Sequence, residues 1–164
     1  MPQNPTYSCY LGAQGWQHSG WQGRFYPDDL PAEWQLTYYN NFFSCTYLNY
    51  REWAGASVAT WRERLNDVQP QFRLLLQTPA ALEHNEHTVF KLLEPHIGFC
   101  DGTPPDGFVQ TGSLIWFGSD LDLKRLAQEI SAARSKTAPV YLVSRDADLA
   151  ALEQVRTLLE VLGC

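Results

Sequence analysis

The stretch from Tyr10 to Pro27 reads YLGAQGWQHSGWQGRFYP and opens the aromatic part of the chain. Residues 1–61 hold five of the six tryptophans and seven of the eight tyrosines, and the first fifty residues hold four charged side chains. Glycines permit tight backbone bends, and tryptophan rings can stack on flat ligands or sugars. Two interpretations stay open: these rings line a binding surface, or they cover one end of a sheet.

The bulk composition is typical of one globular domain. The chain has 164 residues, 45% of them hydrophobic, and a formal net charge of −6. The acidic charge argues against a nucleic-acid partner, which would favour a basic face. No apolar stretch approaches the ~20 residues of a membrane helix, and no secretory signal is visible at Met1–Pro5. The four cysteines lack C-x-x-C spacing and are interpreted as reduced, mostly buried thiols of a cytoplasmic protein.

Strand-like and helix-like segments alternate along the chain, which favours an α/β fold with a parallel sheet. The predicted strands are Tyr7–Leu11, Cys45–Asn49, Phe72–Gln77, Ile97–Cys100, Leu114–Phe117 and Val140–Ser144. The predicted helices are Pro31–Phe43, Val58–Leu65, Glu86–Glu94, Asp120–Ser135 and Ala147–Leu162. A Gly/Pro-rich loop is predicted over Asp101–Gly107.

The aromatic segment resembles the start of the YecE-like family, also called domain of unknown function 72. The matching positions are Gly12, Gly15, Trp16, Trp21, Gly23, Phe25, Tyr26 and Pro27, followed by Leu30, Tyr38, Tyr39, Phe42, Asn49, Trp61 and His84. The resemblance implies a TIM-barrel-like (β/α) fold, which ordinarily has eight strands. Because about six strands are found, we expect residues 1–164 to form a single domain that lacks a middle segment of the family barrel. An exposed strand edge would then favour a homodimer.

The charged groups of the family pattern are largely replaced in this chain. Tyr47 stands where the family has an acidic residue, and Gln77 where it has a lysine. Ile115 and Phe117 stand in place of an arginine and a histidine, and Ser144-Arg145 in place of an asparagine pair. An anionic ligand or a developing negative charge would lose its partners by these changes. The replacements therefore favour a protein without catalytic activity.

Two residues remain as candidates for a catalytic role. Asp101 ends a predicted strand, which suits a functional carboxylate and equally a turn former. His84 belongs to an H-x-x-H pair with His87, but no third ligand follows nearby, so a solvated loop in which Asn85 caps a helix is favoured over a metal site. No dinucleotide, phosphate-loop or nucleophile-elbow motif is present, and we expect no cofactor.

Two functions from different classes follow. The first is a non-catalytic protein that binds a small molecule or a partner, and the second is a hydrolase- or lyase-type enzyme with a small pocket at the carboxyl ends of the strands. The first is favoured. The residues expected to bind a ligand are Trp16, Trp21, Tyr26, Tyr47, Asn49 and Gln77, with Asp101 and His84 as catalytic candidates in the second case.

Overall fold

The computed structural model describes residues 8–136 and 139–164. Its six strands are β1 Cys9–Gln14, β2 Cys45–Leu48, β3 Arg73–Thr78, β4 Ile97–Gly102, β5 Ser113–Phe117 and β6 Val140–Ser144. Its α-helices are α1 Gln35–Tyr39, α2 Tyr50–Ala54, α3 Val58–Asn66, α4 His84–Leu93, α5 Leu123–Lys136 and α6 Leu149–Leu162. Short 3₁₀ turns lie at Ser19–Trp21, Ala32–Trp34 and Glu94–His96.

The six strands form one parallel sheet in the order β4-β3-β2-β1-β6-β5. From β1 to β4 each new strand is added on the side that ends in the β4 edge. Strand β5 forms the opposite edge, and the step from β5 to β6 runs in the same direction. Since crossovers between parallel strands are right-handed, stepping in one direction places the helices on one face of the sheet. This is the winding of a TIM-type barrel, and it confirms the predicted TIM-barrel-like α/β fold with six parallel strands.

The sheet is strongly curled, as contacts between distant strands demonstrate. Strands β4 and β6 are four steps apart, which in a flat sheet would be roughly 19 Å. The ring centroids of Phe99 in β4 and Tyr141 in β6 are nevertheless 6.2 Å apart. Likewise Tyr47 of β2 meets Trp116 of β5, three strands away, at 4.6 Å. The sheet is therefore a half-barrel, and strands β4 and β5 form its two edges.

Alternating side chains divide the sheet into two faces. One face packs against the helices and carries the main core, which includes Leu48, Leu74 and Leu142. The other is the concave face, which consists of Tyr10, Cys45, Tyr47, Leu75, Tyr141 and Val143, with Phe99, Leu114 and Trp116 partly buried beside them. Cys9, Cys45 and Cys100 are buried free thiols, and Cys164 is an exposed one.

The edge strand β4 is covered by the connection that leaves it. In that connection the side-chain amide of Gln110 accepts a hydrogen bond from the Cys100 N–H at 2.9 Å and donates one to the Cys100 carbonyl at 2.7 Å. The amide thus satisfies the same two backbone groups that a neighbouring strand would satisfy. Strand β5 pairs with β6 and, within residues 8–136 and 139–164, has no strand on its other side.

Three helices differ from the predictions: two have other boundaries, and one was not predicted. The segment predicted as a helix over Pro31–Phe43 is a 3₁₀ turn followed by the five-residue α1. Helix α1 is ended by its C-terminal cap Asn40, whose side-chain amide donates a hydrogen bond to the Leu36 carbonyl at 2.9 Å. Helix α2 was not predicted. Helix α4 begins at His84 and is capped by Glu83, rather than by Asn85 as expected.

The remaining boundaries agree closely with the predictions. Strand β1 extends three residues beyond its predicted end at Leu11, and Tyr7 lies outside the described residues. The loop predicted from Asp101 starts later, because β4 runs through Gly102. Among the described helices, none is long and apolar enough to cross a membrane.

Candidate ligand site at the carboxyl ends of the strands

The carboxyl ends of parallel strands meet at one rim of the half-barrel, which is where barrel proteins place their sites. Above β1 this rim holds a cleft of about 420 Å³. The first turn after β1 forms one wall, and the segments after β2 and β6 form the others. The cleft is lined by Gln14, Gly15, Trp16, Gln17, His18, Leu48, Glu52, Arg64, Arg145 and Asp146. We call this space the rim cleft.

The glycine turn after β1 delivers Trp16 to the rim cleft. Gly15 has a φ of +74°, which favours glycine, and its N–H donates to the Tyr47 carbonyl at 2.8 Å. The turn therefore stays anchored to β2 while the chain reverses. Trp16 follows as a wall of the cleft, although only 6% of its surface is exposed.

The other two rings of the segment that were expected to bind a ligand lie in the core. Trp21 is 2% exposed and Tyr26 is 1% exposed. Trp21 stacks on Tyr39 at 6.1 Å between centroids, and the Tyr26 hydroxyl donates to the Trp16 carbonyl at 2.5 Å. Burial is the first cause that raises the pKa of the Tyr26 phenol. Tyr26 therefore holds the backbone of Trp16 in place, and Trp21 packs against Tyr26.

Tyr47 and Asp101 are brought together on the concave face. The Tyr47 hydroxyl donates to Asp101 Oδ2 at 2.6 Å, and the Trp116 ring packs against Tyr47. Burial, then the hydrogen bond and the negative charge of Asp101, raise the pKa of the Tyr47 phenol. The phenol therefore keeps its proton and acts as the hydrogen-bond donor. One of the two carboxylate oxygens of Asp101 accepts this hydrogen bond.

Asn49 and Gln77 organise the start of α2. The Asn49 carboxamide accepts from the Glu52 N–H at 2.9 Å, and the Glu52 carboxylate accepts from the Asn49 N–H at 3.1 Å, which together form a capping box. Gln77 Oε1 accepts from the Tyr50 N–H at 3.0 Å. These contacts place Glu52 at the rim cleft and leave Gln77 exposed beside Asp101, its register partner in β4.

His84 and His87 lie in the first turn of α4, and both are exposed. In the described part of the chain no hydrogen bond joins the His84 imidazole to Asp101. No three histidine, cysteine, aspartate or glutamate side chains of the described residues are grouped so that they could hold a metal ion. The structure thus does not assemble the two catalytic candidates into one constellation.

Two replaced family positions face away from the concave face. Phe117 belongs to the main core and Ile115 packs against that core. Leu114 and Trp116, their neighbours in β5, are the ones that contact the concave face. The replacements at 115 and 117 therefore change the packing of the helices, not the groups that line the inside of the half-barrel.

Arg64 is one of the rim-cleft residues that sequence reasoning missed. Its guanidinium lies over the rings of Trp61, at 4.8 Å, and Trp16, at 5.2 Å. Trp61 precedes Arg64 by three residues in α3, so the two share one helix face. That spacing was a readable signal, whereas the approach of Trp16 depends on the tertiary fold.

The segment after β6 contributes two charged side chains to the rim cleft, Arg145 and Asp146. Arg145 forms an ion pair with Asp120 at 2.5 Å. Burial acts to raise the pKa of Asp146, but hydrogen bonds from the N–H groups of Ser119 and Asp148 and from the Ser144 hydroxyl outweigh it and lower that pKa. The rim cleft therefore combines cationic, anionic, amide and imidazole groups, which suits the binding of a polar molecule.

Comparisons with known proteins agree with this fold. A family model described as a protein of unknown function, DUF72, matches residues 10–103. The crystal structure of a DUF72 family protein from Thermotoga maritima MSB8 aligns with a TM-score of 0.61 and 12% identity, covering 94% of this chain and 100% of that chain. No curated protein matches the sequence. Since the family model spans more than half of its length, the chain belongs to the DUF72 family, for which YecE-like is another name.

Proposed function

We propose that this protein binds a small polar molecule in the rim cleft and does not transform it. The cleft carries the proposal because it lies at the carboxyl ends of β1, β2 and β6 and gathers side chains of both charges around the indole of Trp16. Pockets that join a few polar groups to an aromatic wall are typical of ligand sites. Rigid helix caps and a glycine turn hold these groups in place.

The arrangement of Asp101 supports binding over catalysis. A general base must lie within hydrogen-bond reach of the substrate proton that it removes. Asp101 has one oxygen engaged by Tyr47, and His84 is exposed in α4 without a hydrogen bond to it in the described residues. Asp101 does not line the rim cleft, and within the described residues no histidine is hydrogen-bonded to its carboxylate.

The test is a thermal-shift screen against small sugars, carboxylates, phosphates, amines and nucleosides. A compound that binds the rim cleft should stabilise the wild type and the His87→Ala control but not His18→Ala, because His18 lines the cleft and His87 does not. Each stabilising compound is then incubated with the protein and followed by NMR. Consumption of the compound by the wild type but not by Asp101→Asn would establish the enzyme instead.

A homodimer remains part of the proposal. Strand β5 is an edge strand whose side chains Leu114 and Trp116 are only partly buried. If β5 paired with a second copy of the chain, its unpaired backbone groups would no longer be open to nonspecific aggregation. Light scattering at several protein concentrations tests this, and a monomer at all of them would remove the homodimer from the proposal.

A further inference from the structure

Arg64 is a half-buried cation whose guanidinium has no hydrogen-bond acceptor among the described protein residues. A guanidinium has five N–H donors and is charged at any physiological pH. Within residues 8–136 and 139–164, its side chain makes no hydrogen bond and has no carboxylate within ion-pair distance; its contacts are the faces of Trp16 and Trp61. Burial lowers the pKa of Arg64. A partly desolvated charge of this kind favours an acceptor that completes its hydrogen bonds.

The two tryptophans hold the guanidinium in a defined place. Trp61 is 1% exposed, and its indole N–H donates to the Trp53 carbonyl at 2.9 Å. Trp16 meets Trp61 edge to face at 6.3 Å between centroids. Because neither ring can turn freely, the planar fork of Arg64 is preorganised before any ligand arrives. Little side-chain entropy is then lost when the fork is used.

We infer that Arg64 receives an oxyanion of the ligand, a carboxylate or a phosphate, in the rim cleft. Arg64 lines this cleft together with Gln14 and His18, whose polar atoms can add further hydrogen bonds. A guanidinium fork pairs with two oxygens of either anion at once. This inference rests on the proposed function and adds the chemical class of the ligand.

The carboxylates of the cleft limit which anions fit. Glu52 and Asp146 line the same space, and the Glu52 Oε2 atom has no hydrogen-bond partner in the described residues. They repel a ligand of high negative charge. A molecule with one oxyanion, or with an oxyanion and an amine, is therefore favoured over a polyphosphate.

The probes are sodium acetate and inorganic phosphate, titrated at constant ionic strength against sodium chloride. The signal is the Nε–Hε resonance of Arg64 in ¹⁵N NMR spectra, assigned by its loss in Arg64→Lys. We expect a saturable shift with one or both anions. The anion that saturates the shift at the lower concentration shows whether the site prefers a carboxylate or a phosphate. Tryptophan fluorescence should report binding that is about tenfold to a hundredfold weaker in Arg64→Lys, since the ammonium cannot form the fork. Arg62→Lys, on the same helix, should bind like the wild type.

A wild-type shift that does not saturate, or that chloride produces equally, overturns the inference; Arg64→Lys serves here only to assign the resonance. Equal fluorescence titrations for wild type and Arg64→Lys overturn it too. The proposed function is judged separately: a neutral or cationic compound whose binding is lost in His18→Ala but kept in Arg64→Lys would leave the rim cleft a ligand site and remove the oxyanion. An anion that saturates Arg64 equally in His18→Ala would place the anion outside that cleft.

Discussion

The indole N–H of Trp21 donates a hydrogen bond at 2.8 Å to the carbonyl of Ala147, which is 126 residues away in the chain. Ala147 has a φ of +58°, a left-handed conformation that residues with a side chain seldom adopt. It lies between Asp146 of the rim cleft and Asp148, the cap of α6. The buried aromatic segment thus fastens the strained turn that follows β6.

Removing this hydrogen bond should destabilise the protein. In Trp21→Phe the Ala147 carbonyl loses its donor and the smaller ring leaves a gap in the core, so we expect the free energy of unfolding to fall by about 2–4 kcal/mol. Trp34→Phe is the matched control, since Trp34 is 59% exposed and should change stability by less than about 0.5 kcal/mol. Urea denaturation measures both. Equal effects would show that the Trp21 hydrogen bond is unimportant.

Relief of the backbone strain should show the opposite sign. Glycine adopts positive φ readily, so Ala147→Gly should leave stability unchanged or raise it by up to about 1 kcal/mol. The same change at Ala132, exposed within α5, should cost about 1 kcal/mol. The difference between the two midpoints is the measurement. A loss at residue 147 as large as at residue 132 would contradict a strained Ala147.

Alkaline pH should unfold the protein through its buried phenols. The pKa values of Tyr26, Tyr39, Tyr47 and Tyr141 are all raised, with burial as the first cause. Because these groups stay neutral in the folded protein, their contribution to stability is complete below the ordinary tyrosine pKa of about 10 and is lost as pH rises through the folded values. Each would lower stability by about 1.4 kcal/mol per pH unit in that range.

Tyr47→Phe removes one of these four groups and should make the alkaline decline shallower. The free energy of unfolding is measured from pH 8 to 12, and absorbance at 295 nm follows phenolate formation. Unfolding should accompany the rise of absorbance in the wild type. An identical slope for Tyr47→Phe would mean that Tyr47 ionises equally in both states.

Loss of the Gln110 amide should expose the edge of β4. Gln110→Ala leaves the Cys100 N–H and carbonyl without their partners, so we expect a loss of about 1–2 kcal/mol and increased self-association. Thr111→Ala, an exposed neighbour, is the control. Denaturation and light scattering give the two readouts. An unchanged oligomeric state together with unchanged stability would show that β4 does not need this cover.

The strands could be predicted from the sequence because each is a short apolar run between turn residues. Their order could be anticipated only through the family resemblance, since periodicity does not show which strand lies beside which. Helix α2 escaped notice because its five residues show no helical period, and its position depends on the Asn49–Glu52 capping box. The helix from Pro31 was predicted too long because the aromatic spacing continues to Phe43, past the point where Asn40 ends α1.

The candidate site was predictable in its location but not in its members. Tyr47 and Asp101 are 54 residues apart, and only the curl of the sheet joins them. Arg64 could not be placed at the rim cleft from the sequence, because Trp16 reaches it from a distant part of the chain. Trp21 and Tyr26 were singled out correctly as unusual, yet their rings are buried in the core.

The two edges of the sheet have a consequence for how such a chain can change in evolution. Residues 103–112 join β4 at one edge to β5 at the other, so they are the only link between neighbouring elements of the described chain that crosses the open side. Further strands with their helices could be gained or lost there without altering any of the five existing strand pairings. The segment 103–112 is therefore a region that can accept insertions, and it is separate from the rim cleft, whose residues lie in β1, β2 and the segments that follow β1, β2 and β6.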